Sequence, residues 1–144
     1  MSKALKTKLH HSEVIVVDRS VIKAKHLVYL FVADRPHRYL WRHSRILYVG
    51  TTAKGVARIT TSVAARAKDI FARYGVRKFH VRVVTCTKRP GLSSWKVLEK
   101  DLLRRFKALH GGVPLLNKQG RNLKPHLLSG LFPEGKLDKI LNEF

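Results

Sequence analysis

Leu27-Val28-Tyr29-Leu30-Phe31-Val32 and Arg45-Ile46-Leu47-Tyr48-Val49-Gly50 are the two runs on which the fold turns. Both are dense in β-branched and aromatic residues, which suit a pleated, buried surface better than a helix. Between them, Asp34 to Arg45 keeps neither the helical nor the strand period and contains Pro36, so it reads as a loop or hairpin excursion. Outward from this core, Glu13–Asp18 and Lys78–Thr85 read as further strands. In the second, Phe79, Val81 and Val83 alternate with His80 and Arg82. Val56 to Tyr74 is helix-compatible and stops before Gly75. Trp95 to Leu109 is a helix stopped by Gly111, Gly112 and Pro114, with Ser93 or Ser94 able to cap its start. The expected architecture is a small α/β (α+β) sandwich: a central three- to four-stranded, mostly antiparallel sheet flanked by helices. Residues 1–12 form a basic arm, 13–125 the domain, and 126–144 an extension with a short helix near Lys136–Asn142.

The balance of charge narrows the partners. The chain has 144 residues, with 30 Lys and Arg against 9 Asp and Glu, a formal charge of +21. So much excess charge on one small body calls for a polyanion, and nucleic acid is the commonest. A membrane surface is the weaker alternative, because there is no long basic amphipathic helix and no lipidation motif. The hydrophobic share of 44% excludes a purely disordered basic tail. No apolar run reaches the ~18 residues that cross a bilayer. Lys3, Lys6 and Lys8 precede no apolar stretch, so a secretory signal is not expected. The single cysteine, Cys86, excludes an internal disulfide framework and fits a reducing, intracellular setting, cytoplasmic or nucleoid-associated. No Cys and His cluster has zinc-ligand spacing.

One carboxylate is out of place. On the 95–109 helix, Trp95, Leu98, Leu102, Leu103, Phe106 and Leu109 share an arc, and Lys96, Lys100, Arg104 and Lys107 lie opposite. Glu99 falls inside the apolar arc, whereas Asp101 projects onto the flank. A buried carboxylate without a partner costs several kcal/mol. Glu99 is therefore expected to face a cation, which is either an Arg or Lys from elsewhere or a divalent metal.

Leu27-Val28-Tyr29 followed by Tyr48-Val49-Gly50 resembles the paired signature of the GIY-YIG nucleases. Arg58, eight residues after Gly50, matches the family's arginine at a helix start. Glu99 on a later helix matches its metal-binding glutamate, and Pro114-Leu115-Leu116-Asn117 looks like its late P-x-x-N segment. The resemblance covers about residues 25–120. It implies a GIY-YIG endonuclease domain that hydrolyses DNA phosphodiesters with Mg²⁺ or another divalent metal. The catalytic set it implies is Tyr29, Tyr48, Arg58, Glu99 and Asn117. One tyrosine would relay or accept the proton of the attacking water, and the other would position the phosphate. A free phenol titrates near about 10, so the relaying tyrosine is expected to be lowered by neighbouring cations. Arg58 would grip non-bridging oxygens, Glu99 would hold the metal beside the leaving oxygen, and Asn117 would orient Glu99 or its surrounding backbone. Gly50 would let the chain turn beside the phosphate.

The sequence departs from the family in three ways, the first being a longer interval between Tyr29 and Tyr48 than in its commonest members. Leu27 stands where it usually has glycine, and Ser62, one helical turn after Arg58, stands where it usually has His or Tyr. The alternative reading is accordingly a catalytically inactive binder on the same fold, such as a basic component of a ribosome or other ribonucleoprotein particle. Under both readings the contact residues are cations interleaved with aromatics. Within the excursion these are Arg35, Arg38, Arg42 and Arg45, with Tyr39 and Trp41 able to stack. A helical stripe adds Lys96, Lys100 and Arg104, and Lys54, Arg121 and Lys124 extend the surface. DNA is favoured over RNA, and a homodimer would be needed to cut both strands in one visit.

Overall fold

A computed structural model describes residues 4–11, 22–73 and 75–144, with Arg73 described by its backbone alone. The strand expected over Glu13–Asp18 lies outside the described residues. Residues 4–11 are exposed and carry no regular structure, in keeping with a basic arm.

Three strands, β1 (Leu27–Arg38), β2 (His43–Thr52) and β3 (Phe79–Val84), pair antiparallel in the order β2-β1-β3. Helix α1 (Val56–Arg73) follows β2, α2 (Ser94–His110) follows β3, and α3 (Glu134–Asn142) closes the fold. β1 is central, and its run Leu27 to Ala33 is buried at every position because both faces of the sheet are covered. Leu27, Tyr29, Phe31 and Ala33 pack with Ile59 and Ile70 of α1. Val28, Leu30 and Val32 pack with Leu98, Leu102, Leu103 and Phe106 of α2 and with Leu137 and Leu141 of α3. Residues 126–144 are thus no appendage: α3 completes the core, and Arg105 of α2 ties to it through Glu134 at 2.8 Å and Asp138.

The excursion is the end of the β1–β2 hairpin. Pairing slips between Val32↔Ile46 and His37↔Ser44, where Pro36 cannot donate to the ladder. A second slip separates Phe31↔Tyr48 from Val32↔Ile46, so Leu47 is a bulged extra residue. The bulge puts Leu47 and Tyr48 on the α1 face together. It also leaves the Leu47 carbonyl free on the outer edge of β2, where the Leu116 N–H donates to it at 3.0 Å.

The local signals of α2 hold at one end only. Gly111 is left-handed (φ 85°) and its N–H donates to the Lys107 carbonyl, the expected glycine stop. At the start neither serine caps. Ser93 makes no capping bond, and Ser94 instead donates to the Thr87 carbonyl at 3.0 Å, pinning the loop after β3.

Candidate functional site

The site forms at the end of the hairpin where β2 leads into α1. Tyr29 on β1 and Gly50 on β2 are register partners. Tyr29 and Tyr48 lie on the same face, with ring centroids 5.9 Å apart. Both rings lean over Gly50. A Cβ there would stand 2.6 Å from Tyr48 Cε1 and 2.8 Å from Tyr29 Cζ. Gly50 is therefore required by the approach of the two phenols rather than by a turn.

Helix α1 supplies the polar side. The Tyr29 hydroxyl donates to Ser62 Oγ at 2.9 Å. Arg66 donates from Nη1 to the same Oγ at 2.9 Å and from Nη2 to the Tyr48 hydroxyl at 3.2 Å. Its guanidinium also lies over the Tyr48 ring, 4.3 Å from the centroid, a cation–π contact. Two phenols, a serine and a guanidinium thus form one network, buried at Tyr29, Tyr48 and Ser62 and half-buried at Arg66. The guanidinium is not the expected one: Arg58 lies exposed on the first turn of α1. Arg58, Ser62 and Arg66 fall at i, i+4 and i+8, so they share one stripe of the helix. That spacing was the signal that could have found Arg66, because Ser62 already pointed to the stripe.

Tyr48 does not have the lowered pKa expected of the relaying tyrosine. Burial first, then the neighbouring Tyr29 phenol, push it up to about 12, and the Arg66 charge only partly opposes this. At neutral pH Tyr48 is a protonated phenol with a proton to donate.

Glu99 reaches the same end of β2 from the other face, and its charge is felt at Tyr48. It is nearly buried, and Gln119 Nε2 donates to its Oε1 at 2.9 Å. Burial raises its pKa, while a hydrogen bond from Thr51 and the charges of Lys100 and Lys96 oppose the rise. The expected cation is thus replaced at close range by two neutral donors. Among the described residues no three His, Cys, Asp or Glu side chains cluster. One carboxylate still suits Mg²⁺, which keeps several waters and completes its shell with substrate phosphate oxygens.

Asn117 holds β2 rather than Glu99. The Val49 N–H donates to Asn117 Oδ1 at 2.9 Å, and Asn117 Nδ2 donates back to the Val49 carbonyl at 2.8 Å. Its buried side chain mimics a strand neighbour on the open edge and fixes the backbone between Tyr48 and Gly50.

Asp101 corrects the helical projection. It is fully buried, accepting from the Ser129 N–H at 3.1 Å, from the Ser129 hydroxyl and from Arg104 Nη1 at 3.3 Å. Arg104 is therefore committed to Asp101, and the proposed stripe of contact cations shortens to the exposed Lys96 and Lys100.

The hairpin end separates the two aromatics. Tyr39 is buried and cannot stack on a base. Its hydroxyl donates to the Ile46 carbonyl at 2.6 Å and accepts from the Leu115 N–H at 3.2 Å. Trp41 is the exposed ring, at 65%. Arg35, Arg38 and Arg42 are exposed around it, whereas Arg45 is half-buried, 5.8 Å from the Phe144 ring centroid. Lys54, Arg121 and Lys124 are exposed.

Comparison of the chain with protein-family models, curated proteins and solved structures returned no match. No helix among the described residues is long and apolar enough to cross a membrane.

Proposed function

We propose that the protein is a GIY-YIG-like, Mg²⁺-dependent endonuclease that binds nucleic acid and hydrolyses phosphodiester bonds, with DNA the favoured substrate. The observation that carries this reading is the packing of Tyr29 and Tyr48 against Gly50, with Arg66 bonded to one phenol and, through Ser62, linked to the other. Glu99 stands at the same end of β2.

A phosphoryl centre under attack needs donors for its oxygens and a counter-charge placed in advance. Tyr48 supplies a neutral O–H, and Arg66 supplies a planar cation with forked donors. Tyr29 donates its proton to Ser62 Oγ and is hydrogen-bonded to Tyr48, so turning the Tyr48 O–H toward a phosphate oxygen would free the Tyr29 oxygen to accept from an attacking water. Arg58, on the same stripe of α1 and open to solvent, is placed to hold a neighbouring phosphate. Glu99 is the residue that would hold Mg²⁺, whose charge would stabilise the leaving oxygen. Asn117 keeps Val49 still, and with it the two flanking site residues.

The second reading is a binder without cleavage. It is favoured by one observation: Arg66 already occupies the oxygen and the ring of Tyr48, and Ser62 is a poor proton carrier at neutral pH. A supercoiled-plasmid nicking assay separates the two. Nicking in Mg²⁺, abolished by EDTA and lost in Glu99→Gln and Arg66→Ala, supports the nuclease. Equal background in wild type and both variants, with DNA still bound, leaves the binder.

A further inference from the structure

Leu40 and Trp41 crown the β1–β2 hairpin, 71% and 65% exposed, as two adjacent large apolar side chains. Exposing such a pair is unfavourable, and a grouped pair marks a contact surface more often than scattered residues do. The mount beneath them is rigid. The Tyr39 N–H donates to the Arg42 carbonyl at 2.8 Å, closing the turn, and the Trp41 N–H donates to the His110 carbonyl at 3.1 Å. His110 is itself buried and stacked on Phe106, ring centroids 3.9 Å apart. Gly111 passes directly under the pair: a Cβ there would stand 2.9 Å from Leu40 Cβ and 3.0 Å from Trp41 Cδ2. Buried Tyr39 bolts the strand behind them to Ile46 and Leu115. The crest therefore needs no ordering when something docks on it.

We propose that this crest is a wedge that enters a nucleic-acid duplex and unstacks a base step, Leu40 prying and Trp41 stacking on the exposed base. The occupant follows from charge. From β1 through β2 the only acid is Asp34, whereas Arg38 and Arg42 flank the turn that carries the crest and, with Arg35 on β1, are exposed, Arg42 also donating to Asn142 Oδ1 at 3.5 Å. Apolar wedges flanked by arginines that hold phosphates are how proteins kink duplexes, and an aromatic ring accepts any base face. The wedge rests on the nucleic-acid part of the proposed function and not on cleavage.

The test uses the full-length protein and a set of short duplexes carrying 2-aminopurine at successive positions, whose fluorescence rises where a base is unstacked and left uncovered, and stays quenched at the base that Trp41 covers. Wild type is expected to raise the signal on binding. Trp41→Ser should weaken binding roughly tenfold, with an unchanged slope of log K against log salt. Leu40→Ser should abolish most of the fluorescence rise. Arg38→Ala should instead lower the salt slope by about one. Binding without a fluorescence rise, or a rise unaffected by Leu40→Ser and Trp41→Ser, overturns the wedge. So does self-association in sedimentation that Trp41→Ser abolishes while DNA binding is unchanged, which would make a second copy the occupant. Absence of binding to both the DNA duplex and the RNA duplex of the same sequence removes the wedge and the nucleic-acid reading together. A fluorescence rise without nicking leaves the wedge standing and removes only the nuclease.

Discussion

Asp101 and Glu99 stand two residues apart on α2 and live under opposite conditions. Asp101 is fully buried and has its charge answered: Arg104 pairs with it, and Ser129 donates from both its backbone and its hydroxyl. Glu99 is almost as deep, yet its close partners are the neutral Thr51 and Gln119. The first acid is consumed in holding the 126–131 loop to the helix. The second keeps a charge that the fold does not neutralise at contact distance, at the end of β2 that carries Tyr48 but on the opposite face of the sheet. The contrast teaches that burial alone does not mark a functional acid; the chemistry of its partners does.

The largest expected effect comes from breaking the satisfied acid. Asp101→Ala would strand Arg104, whose Nε is already buried without a partner, and the Ser129 N–H. Losing one side of such a pair costs about 3–5 kcal/mol, read as a lower urea midpoint. A loss under about 1 kcal/mol would mean that Asp101 is not the structural acid.

A smaller cost is expected on the Glu99 side, from crowding rather than charge. Gly50→Ala would force a methyl between Tyr48 and Tyr29 at 2.6–2.9 Å. Overpacking of this kind costs about 1–3 kcal/mol. The two rings would separate, so nicking should fall further than stability does. A protein of unchanged stability and activity would show that the tyrosines do not need their present approach.

The smallest effect is predicted for Glu99→Gln, within about 1 kcal/mol of wild type at pH 7, because a neutral isostere relieves the burial of a charge that only the more distant Lys96 and Lys100 offset. Its pH dependence has a definite sign. The folded protein raises the Glu99 pKa, so the unfolded chain releases this proton first. Whatever stability the protonated acid contributes is complete below the ordinary carboxylate pKa and is lost as pH rises through the raised one. Wild type should therefore lose ground to Glu99→Gln across that window in metal-free buffer. A difference independent of pH would contradict the raised pKa.

Much of this was readable beforehand, for physical reasons that can be named. The apolar run of β1 declared a strand, unbroken because both faces are buried, though not its central place in the sheet, and Gly111 declared the end of α2 because a left-handed cap favours glycine. Glu99 was legible because its anomaly lies within one helix. Asp101 was not, since its partner Ser129 is 28 residues away and a projection sees only its own helix. The bulge at Leu47 depends on pairing register, which no single strand reveals, and it decides that Leu47 and Tyr48 share a face. Tyr39 and Trp41 were both expected to stack because their composition is equivalent; only the path of the turn tells that Tyr39 points inward and Trp41 outward. Arg66 was hidden among many cations, although its spacing from Ser62 was visible.

The most direct test of the spare acid is a titration with Mn²⁺ followed by electron paramagnetic resonance, in the presence of a short duplex. The account predicts one ion bound per chain in wild type, lost in Glu99→Gln and retained in Asp101→Asn. Binding that survives Glu99→Gln, or that depends equally on both acids, would contradict it.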